Sequence, residues 1–423
     1  MVRSVSALIL VVLFCCPQLA PAQGPGAVLH EIIIEGNTRT QQSVVERIIA
    51  LEPGAPFDLR AFDAVWDRLE DCGYFAFVDL ATETDDEGRV TLWVTLEEEQ
   101  TAHYAPSVRY SLRHKYLLGG AVRDINLRGR GEVLEVQAIV YRIQRGRVAW
   151  TKPWLFAQDG LSLNLDTQWE QGPFVWRPFD YAQWHARLGL RQHLSSAFYV
   201  EGGGGFASFR QKDAYQWALP DRGQDTGEAI ATFPGATRDL WSLRGLIGLD
   251  TRDNPFYPHR GQWHEIGLVW RTGPDDLSFT TYHADLRAYI GLPGPGILAL
   301  RAGGRGVDGP VPVEHALFWG GAETVRGAPT ARREGEHGYL LSAELRWPLF
   351  LLPVAVTGEV VGFGLHAFFD VGDAWWDGAD PGRALQSVGL GAHLSLLSLQ
   401  LRFEAAHERD HGWSFVFMDV FNF

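Results

Sequence analysis

The sequence predicts a small α+β domain followed by an antiparallel transmembrane β-barrel of about 16 strands. Three observations predict it. Residues 27–99 combine β-branched runs with two stretches of helical periodicity. From about residue 104 that periodicity gives way to strict alternation of apolar and polar residues. The chain then ends on an aromatic row, Trp413, Phe415, Phe417, Phe421 and Phe423, all on one face of the last strand and interrupted only by Asp419. A soluble protein that left such a row on a terminal strand would risk aggregation, whereas barrels of the bacterial outer membrane characteristically end on an aromatic residue.

Residues 1–22 read as a secretory signal. Arg3 gives the positive region, Ala7 to Cys16 the apolar core, and Ala20-Pro21-Ala22 the small-x-small cleavage pattern, so the mature chain is expected to start at Gln23. The apolar core is too short to span a bilayer. Phe14 before Cys15 does not fit a lipoprotein signal. Cys72 is then the only cysteine left, which excludes an intramolecular disulfide, and its simplest role is a small buried residue.

The net charge of −14, with no basic stripe, argues against a nucleic-acid partner. Hydrophobic residues make up 46% of the chain, yet no apolar run after the signal is long enough for a spanning helix. This leaves a soluble all-β protein or a membrane barrel.

Within residues 27–99 the elements follow in the order β-α-α-β-β. Val28 to Glu35 is strand-like and ends at Gly36-Asn37. Thr40 is the expected N-cap of a first helix carrying Val44, Val45, Ile48 and Ile49, which Pro53-Gly54 breaks. Asp58 caps a second helix carrying Leu59, Phe62, Val65, Trp66 and Leu69, closed by Gly73. Strands at Phe75 to Thr82 and Val90 to Leu96 flank an acidic turn.

In residues 104–423, Leu161, Leu163 and Leu165 alternate with Ser162, Asn164 and Asp166. Ala284, Leu286, Ala288 and Ile290 alternate with Asp285, Arg287 and Tyr289. One face suits lipid and the other a polar lumen. At roughly 20 residues per strand and loop, the segment holds about 16 strands. The longest polar loop, about Gln211 to Thr237, is expected on the extracellular side. Gly202 to Gly205 mark a kinked strand or a close backbone approach, because they lack the strand-to-helix context of a nucleotide loop.

The first unit resembles a POTRA domain through Ile34-Glu35-Gly36-Asn37, Gly73-Tyr74-Phe75 with Val78, and Val94-Thr95-Leu96-Glu97. Three barrel segments are similar to those of the BamA/TamA-type superfamily of outer-membrane assembly and secretion barrels. They are Asp250 to Gly261, Phe318 to Gly327 with its Val325-Arg326-Gly327 core, and Ala367 to Trp375, which contains Phe368-x-Asp370-x-Gly372. The resemblance implies an outer-membrane protein with a periplasmic POTRA domain. It also implies assembly or translocation of unfolded barrel or secreted client proteins, with periplasmic accessory proteins a further possible class of partner. No cofactor is implied.

Strand parity bears on Arg326. Val361, Phe363, Leu365 and Phe369 point one way, which puts Phe368 and Asp370 in the lumen. Leu341, Ala343, Leu345 and Trp347 point outward, which puts Ser342, Glu344 and Arg346 inside. In the family the loop arginine pairs with acids on these two strands, and Arg326, Glu344 and Asp370 occupy the matching positions. A guanidinium can bond two carboxylates at fixed geometry. The family's aromatic residue after this core is replaced by Ala328. A C-terminal strand signal falls on Phe421 and Phe423.

Catalytic constellations are absent from the sequence. There is no Gly-x-Ser-x-Gly elbow and no phosphate loop, and His407 and His411 fit an exposed turn better than a metal site. No enzyme activity and no metal are therefore expected. The rival readings are a two-partner-type secretion transporter for one dedicated client and a structural or pore-forming barrel. The first usually has two POTRA domains and a plug helix.

Overall fold

The computed structural model describes residues 27–111, 115–218, 230–233, 235–353, 360–379, 383–397 and 399–418. The expected signal peptide and the terminal Phe421 and Phe423 lie outside the described residues.

The N-terminal domain has the order β1 (Val28–Glu35), α1 (Gln42–Ile49), α2 (Leu59–Asp71), β2 (Phe75–Thr84) and β3 (Arg89–Glu98). Its sheet runs β1-β3-β2, with β1 parallel and β2 antiparallel to β3. Leu29, Val44, Val45, Ile49, Val65, Leu69, Leu92 and Val94 close the core between the sheet and the two helices. Full burial of each such aliphatic side chain contributes about 1.5–3 kcal/mol. Gly36 must be glycine, because it has φ +91° and a Cβ there would sit 1.8 Å from the Leu96 carbonyl oxygen.

Asp58 caps α2, its Oδ1 accepting from the Ala61 N–H at 2.8 Å. Thr40 does not cap α1, contrary to expectation. The helix starts at Gln42 and its cap residue is Gln41, with no side-chain bond. The Thr40 hydroxyl instead accepts from Asn126 Nδ2 at 2.9 Å, on the far side of the domain junction. A tertiary partner has taken the oxygen that the local motif would have used.

The barrel strands are β4 (Ala102–Ser111), β5 (Lys115–Leu127), β6 (Glu132–Ile139), β7 (Gln144–Lys152), β8 (Leu161–Pro173), β9 (Asp180–His193) and β10 (Phe198–Gln211). A short hairpin, β11 (Tyr215–Ala218) and β12 (Ile230–Phe233), lies in the long loop that follows. Then come β13 (Thr237–Asp250), β14 (Gly261–Thr272), β15 (Ser278–Gly291) and β16 (Ile297–Asp308). A second short hairpin, β17 (Leu317–Trp319) and β18 (Arg333–Gly335), precedes β19 (His337–Pro353), β20 (Val360–Trp375), β21 (Leu385–Leu397), β22 (Leu399–Glu408) and β23 (Gly412–Met418). Without the two hairpins these form one antiparallel sheet of 16 strands in chain order, the number expected. Its edges, β4 and β23, approach within 8 Å between Cα atoms. Among the described residues no ladder joins them.

Leu188, Leu190, Leu243, Leu268, Leu365, Leu390 and Phe403 stand exposed on the outer face. No described helix is long and apolar enough to cross a membrane, and the strands form the apolar belt instead. The ladders on both sides of Gly202–Gly205 run without a register shift, so the strand is not kinked there. The close-approach alternative holds, because a Cβ on Gly203 would lie 2.5 Å from the Leu188 carbonyl oxygen.

The N-terminal domain docks on two barrel turns. Gln41 N–H donates to the Gly129 carbonyl at 2.8 Å, and Arg47 meets Asp159 at 3.1 Å. Ile125 and Trp154 pack against the domain's core. Antiparallel alternation places the loop containing β11 and β12, and the loop between β16 and β19, at the opposite end of the barrel.

Candidate functional site

The segment between β16 and β19 leaves the barrel rim and returns into the lumen. Two tight spots explain its glycines. Gly320 has φ +107°, and a Cβ on it would sit 2.3 Å from the Pro329 carbonyl oxygen. Gly327 has φ +84° and lies so close to β22 that a Cβ would stand 2.7 Å from Ala406 Cβ. The Gly327 carbonyl accepts from Ser414 Oγ of β23 at 3.2 Å, so the loop tip touches the last described strand.

Arg326 is fully buried at this tip. Its Nε and Nη2 donate to the two oxygens of Asp370 at 2.7 and 2.8 Å, a two-pronged pair, and its backbone N–H adds a third bond at 3.1 Å. Nη1 donates to Glu344 Oε2 and, at 3.3 Å, to Glu404 Oε1. The guanidinium also lies 3.6 Å from the ring centroid of Phe368, a cation–π contact.

The Phe368-x-Asp370-x-Gly372 stretch thus meets the loop at three successive inward positions of β20. Phe368 lies against the guanidinium and Asp370 binds it. Gly372 leaves room for the loop, since a Cβ there would sit 2.9 Å from Trp319 Nε1 and 3.1 Å from Val325 Cγ2. Val325 and Ala328 are buried with Leu317, Trp319, Leu340, Ala374 and Leu385. The small Ala328 side chain, where an aromatic residue was expected, therefore lies in an apolar cluster rather than in the open lumen. Higher up, Phe318 stacks on Trp176 at 5.2 Å and Arg177 pairs with Glu334, fixing the base of the loop to the β8–β9 connection.

Sequence reasoning did not assign the rest of the network. Arg346 Nε donates to Glu344 Oε1 at 2.8 Å, and Arg402 bridges Glu344 and Glu404. Arg326, Arg346 and Arg402 thereby face Glu344, Asp370 and Glu404, three formal charges of each sign. Glu404 also meets His366 Nε2 at 3.0 Å. His366 meets His393 at 3.2 Å, and His393 meets the hydroxyl of the fully buried Tyr257 at 2.9 Å. Tyr257 belongs to the β13–β14 turn at the opposite end of the barrel, so the contacts run from loop tip to far turn. The available signal was parity, because Arg346, His366, Arg402 and Glu404 all fall on inward positions of β19, β20 and β22. Glu344, His366 and Glu404 place donor atoms within 4.8 Å of one another. The same carboxylates already bind three guanidiniums, which a metal ion would have to displace. His407 pairs with Trp413 across the β22–β23 hairpin, and His411 lies in its turn.

Comparison with known proteins accords with this geometry. The Omp85 superfamily domain model matches residues 126–406, and a POTRA model, surface antigen variable number repeat, matches residues 27–99. Two curated relatives are outer membrane protein assembly factors BamA. The one from Nitratidesulfovibrio vulgaris is 25% identical over 401 residues, covering 91% of this chain and 49% of the relative. The one from Neisseria meningitidis serogroup B is 24% identical over 424 residues, covering 89% and 51%. The chain therefore spans about half the length of the curated relatives it matches. Among solved structures, BamA from Haemophilus ducreyi lacking POTRA domains 1–3 superimposes with a TM-score of 0.71 at 16% identity, covering 93% of this chain and 85% of that one. CdiB from Acinetobacter baumannii gives 0.59 at 15% identity, covering 92% and 73%. These structural likenesses speak to the fold. The chain belongs to the Omp85 superfamily, as an outer-membrane β-barrel of BamA/TamA type with a POTRA domain on the periplasmic side.

Proposed function

We propose that the protein assembles client proteins into the outer membrane, or passes them across it, by opening the seam between β4 and β23. The observation that carries this reading is the pair of sheet edges that face each other without a ladder among the described residues. A strand can pair with a barrel inside lipid only at an opened edge. The domain's β2 is also a sheet edge, 10 residues long, and can hold an extended client by strand addition before delivery. The curated relatives are named assembly factors, which supports the assembly arm. The exchange of hydrogen bonds between strands breaks no covalent bond, so the reading calls for no catalytic residue, cofactor or nucleotide.

In this reading Arg326, with Glu344 and Asp370, is a latch that holds the loop inside the lumen. Val325 and Gly327 shape its tip, and Phe368 and Gly372 shape its seat. Ser414 ties that tip to β23, so the loop's position and the state of the seam are mechanically linked.

The test joins β4 to β23 by an introduced cysteine pair in a Cys72→Ser background, followed by proteomics of the outer membrane. Client barrels should fall when the seam is locked and recover on reduction. Unchanged assembly in locked cells would rule out lateral opening. Loss of a single exported protein, with other barrels normal, would favour a dedicated secretion transporter.

A further inference from the structure

A second group of arginines lies on the other side of the lumen, away from the latch. A cavity of about 400 Å³ opens there on the inner faces of β7–β10, β13 and β14. Five arginines line it, Arg147, Arg187, Arg191, Arg244 and Arg271, against two carboxylates, Asp166 and Glu201. Glu135 reaches Arg147 at 3.2 Å and offsets one more charge. Glu265 acts on Arg244 and Arg191 and offsets another, which leaves one positive charge uncompensated among the described residues.

The floor of the cavity is small-sided. Register places Arg187, Gly205, Ser242 and Arg271 side by side on four adjacent strands. Two side-chain-poor positions thus separate the two arginines by roughly 14 Å at the backbone, three strand spacings. Arg187 Nη2 donates to Asp166 at 2.8 Å on the outer side of the gap, and the charges of Arg187 and Arg244 both bear on Arg271 across it. One row away, Arg244 faces Gly203. A Cβ on Gly205 would meet Arg187 Cγ at 2.9 Å and Ser242 Oγ at 3.1 Å, so the hollow depends on glycine.

The arginines are also incompletely used. Arg271 donates to Thr281 Oγ1 at 2.7 Å and has no carboxylate partner among the described residues. Arg244 lies 3.7 Å from Glu201, beyond hydrogen-bond reach, and its buried Nε has no hydrogen-bond acceptor. A buried donor without an acceptor is costly, which makes an acceptor arriving from outside favourable.

We infer that this hollow is a binding site for a phosphate-type oxyanion, held between Arg187, Arg244 and Arg271. Guanidinium forks match the tetrahedral oxygens of phosphate in bidentate fashion, and phosphate's second charge meets the excess positive charge of the wall. The phosphate is either free in solution or carried on a lipid headgroup. The site shares no residue with the latch, and its presence does not depend on the proposed assembly role.

Equilibrium dialysis of the purified full chain in detergent against radiolabelled inorganic phosphate, at constant ionic strength, tests this. Saturable binding of one phosphate per barrel is expected. The double variant Arg244→Gln, Arg271→Gln should weaken it at least tenfold, and Arg305→Gln elsewhere in the lumen should leave it unchanged. Gly205→Val keeps every charge, fills the hollow and should also abolish binding. Heat-dependent gel mobility checks that each variant is folded. Displacement of the label by phosphatidic acid in mixed micelles would identify a headgroup source, and no displacement would identify a free one. Absence of saturable binding, or equal binding in the folded double variant, overturns the proposal. So does an equal loss in Arg305→Gln.

Discussion

The two sides of the lumen place the same chemical groups in different surroundings. At the loop tip and on β19, β20 and β22, the side chains of Arg326, Glu344, Asp370, Arg402 and Glu404 are 0% exposed, and with Arg346, 1% exposed, positive and negative charges balance. On β7–β13, the arginines paired with Asp166 and Glu201 remain 30–50% exposed. The difference is the inserted loop. Its buried Trp319, Val325 and Ala328 close over the first network and exclude water from it. Ion pairs that are weakly stabilising in water become strongly interdependent once both partners are desolvated. The loop is therefore both a member of the network and the cover that gives the network its strength.

The largest effect should follow from removing the shared cation. Arg326→Ala leaves Asp370 buried without its two-pronged partner and costs Glu344 and Glu404 one donor each. A loss of about 3–5 kcal/mol is expected, read as a lower urea midpoint for the folded band of the purified barrel. Arg326→Lys keeps the charge but cannot span Asp370 and Glu344 together, so it should rescue only part of the loss. If Arg326→Ala were no more harmful than a change on the open wall, burial would not be what separates the two sides.

Asn126 tests burial without charge. It is 1% exposed, donates to Thr40 Oγ1 at 2.9 Å and accepts from the Gly131 N–H at 2.7 Å. Asn126→Ala should cost about 1–3 kcal/mol, mostly by leaving the Gly131 N–H unpaired. The expected readout is faster proteolytic separation of the N-terminal domain from the barrel. A cost as large as that of Arg326→Ala would mean that burial alone, and not buried charge, sets the scale.

Glu98 tests charge with little burial. Burial pushes its pKa up, but the N–H groups of Thr40 and Arg39 and the Thr38 hydroxyl outweigh this and hold it below the usual glutamate range. The folded pKa thus lies below the unfolded one. The stabilisation is complete above the unfolded value of about 4.3 and fades as pH falls through the folded value. Hydrogen exchange in residues 37–41 should be faster in Glu98→Gln than in the parent at pH 7. The difference should shrink as the pH falls below the usual glutamate range and the parent's Glu98 takes up its proton. A difference that persisted unchanged at low pH would assign the effect to shape rather than charge.

These contrasts also mark what the sequence could reveal. Alternation around Glu344 and Asp370 was enough to turn both acids inward, because parity is a local property of one strand. The partners Arg402 and Glu404 needed more, since which inward residues meet depends on the register between strands and on how deep the loop tip reaches. Tyr257 was hidden for a similar reason. Nothing local in its turn indicates that the ring ends beside His393 of β21. Thr40 misled because its hydroxyl found Asn126, 86 residues away, before it could cap its own helix. Local patterns specified the strands, and long-range geometry specified the contacts.

The smallest effect should come from the open wall. Arg191 donates from Nε and Nη2 to a single oxygen of Glu201, Oε2, at 3.1 and 2.7 Å, where Arg326 grips both oxygens of Asp370. Its side chain is 37% exposed and that of Glu201 13%, and Arg244 stands nearby to share the carboxylate. Arg191→Gln should therefore change the urea midpoint by the equivalent of less than about 1 kcal/mol, and raising salt should shrink that further. The two pairs differ in geometry as well as in exposure, and salt separates the two causes, because it screens an exposed pair far more than a buried one. If Arg191→Gln and Arg326→Ala shifted the midpoint equally at high salt, water would be reaching both networks alike, and the loop would not be a cover.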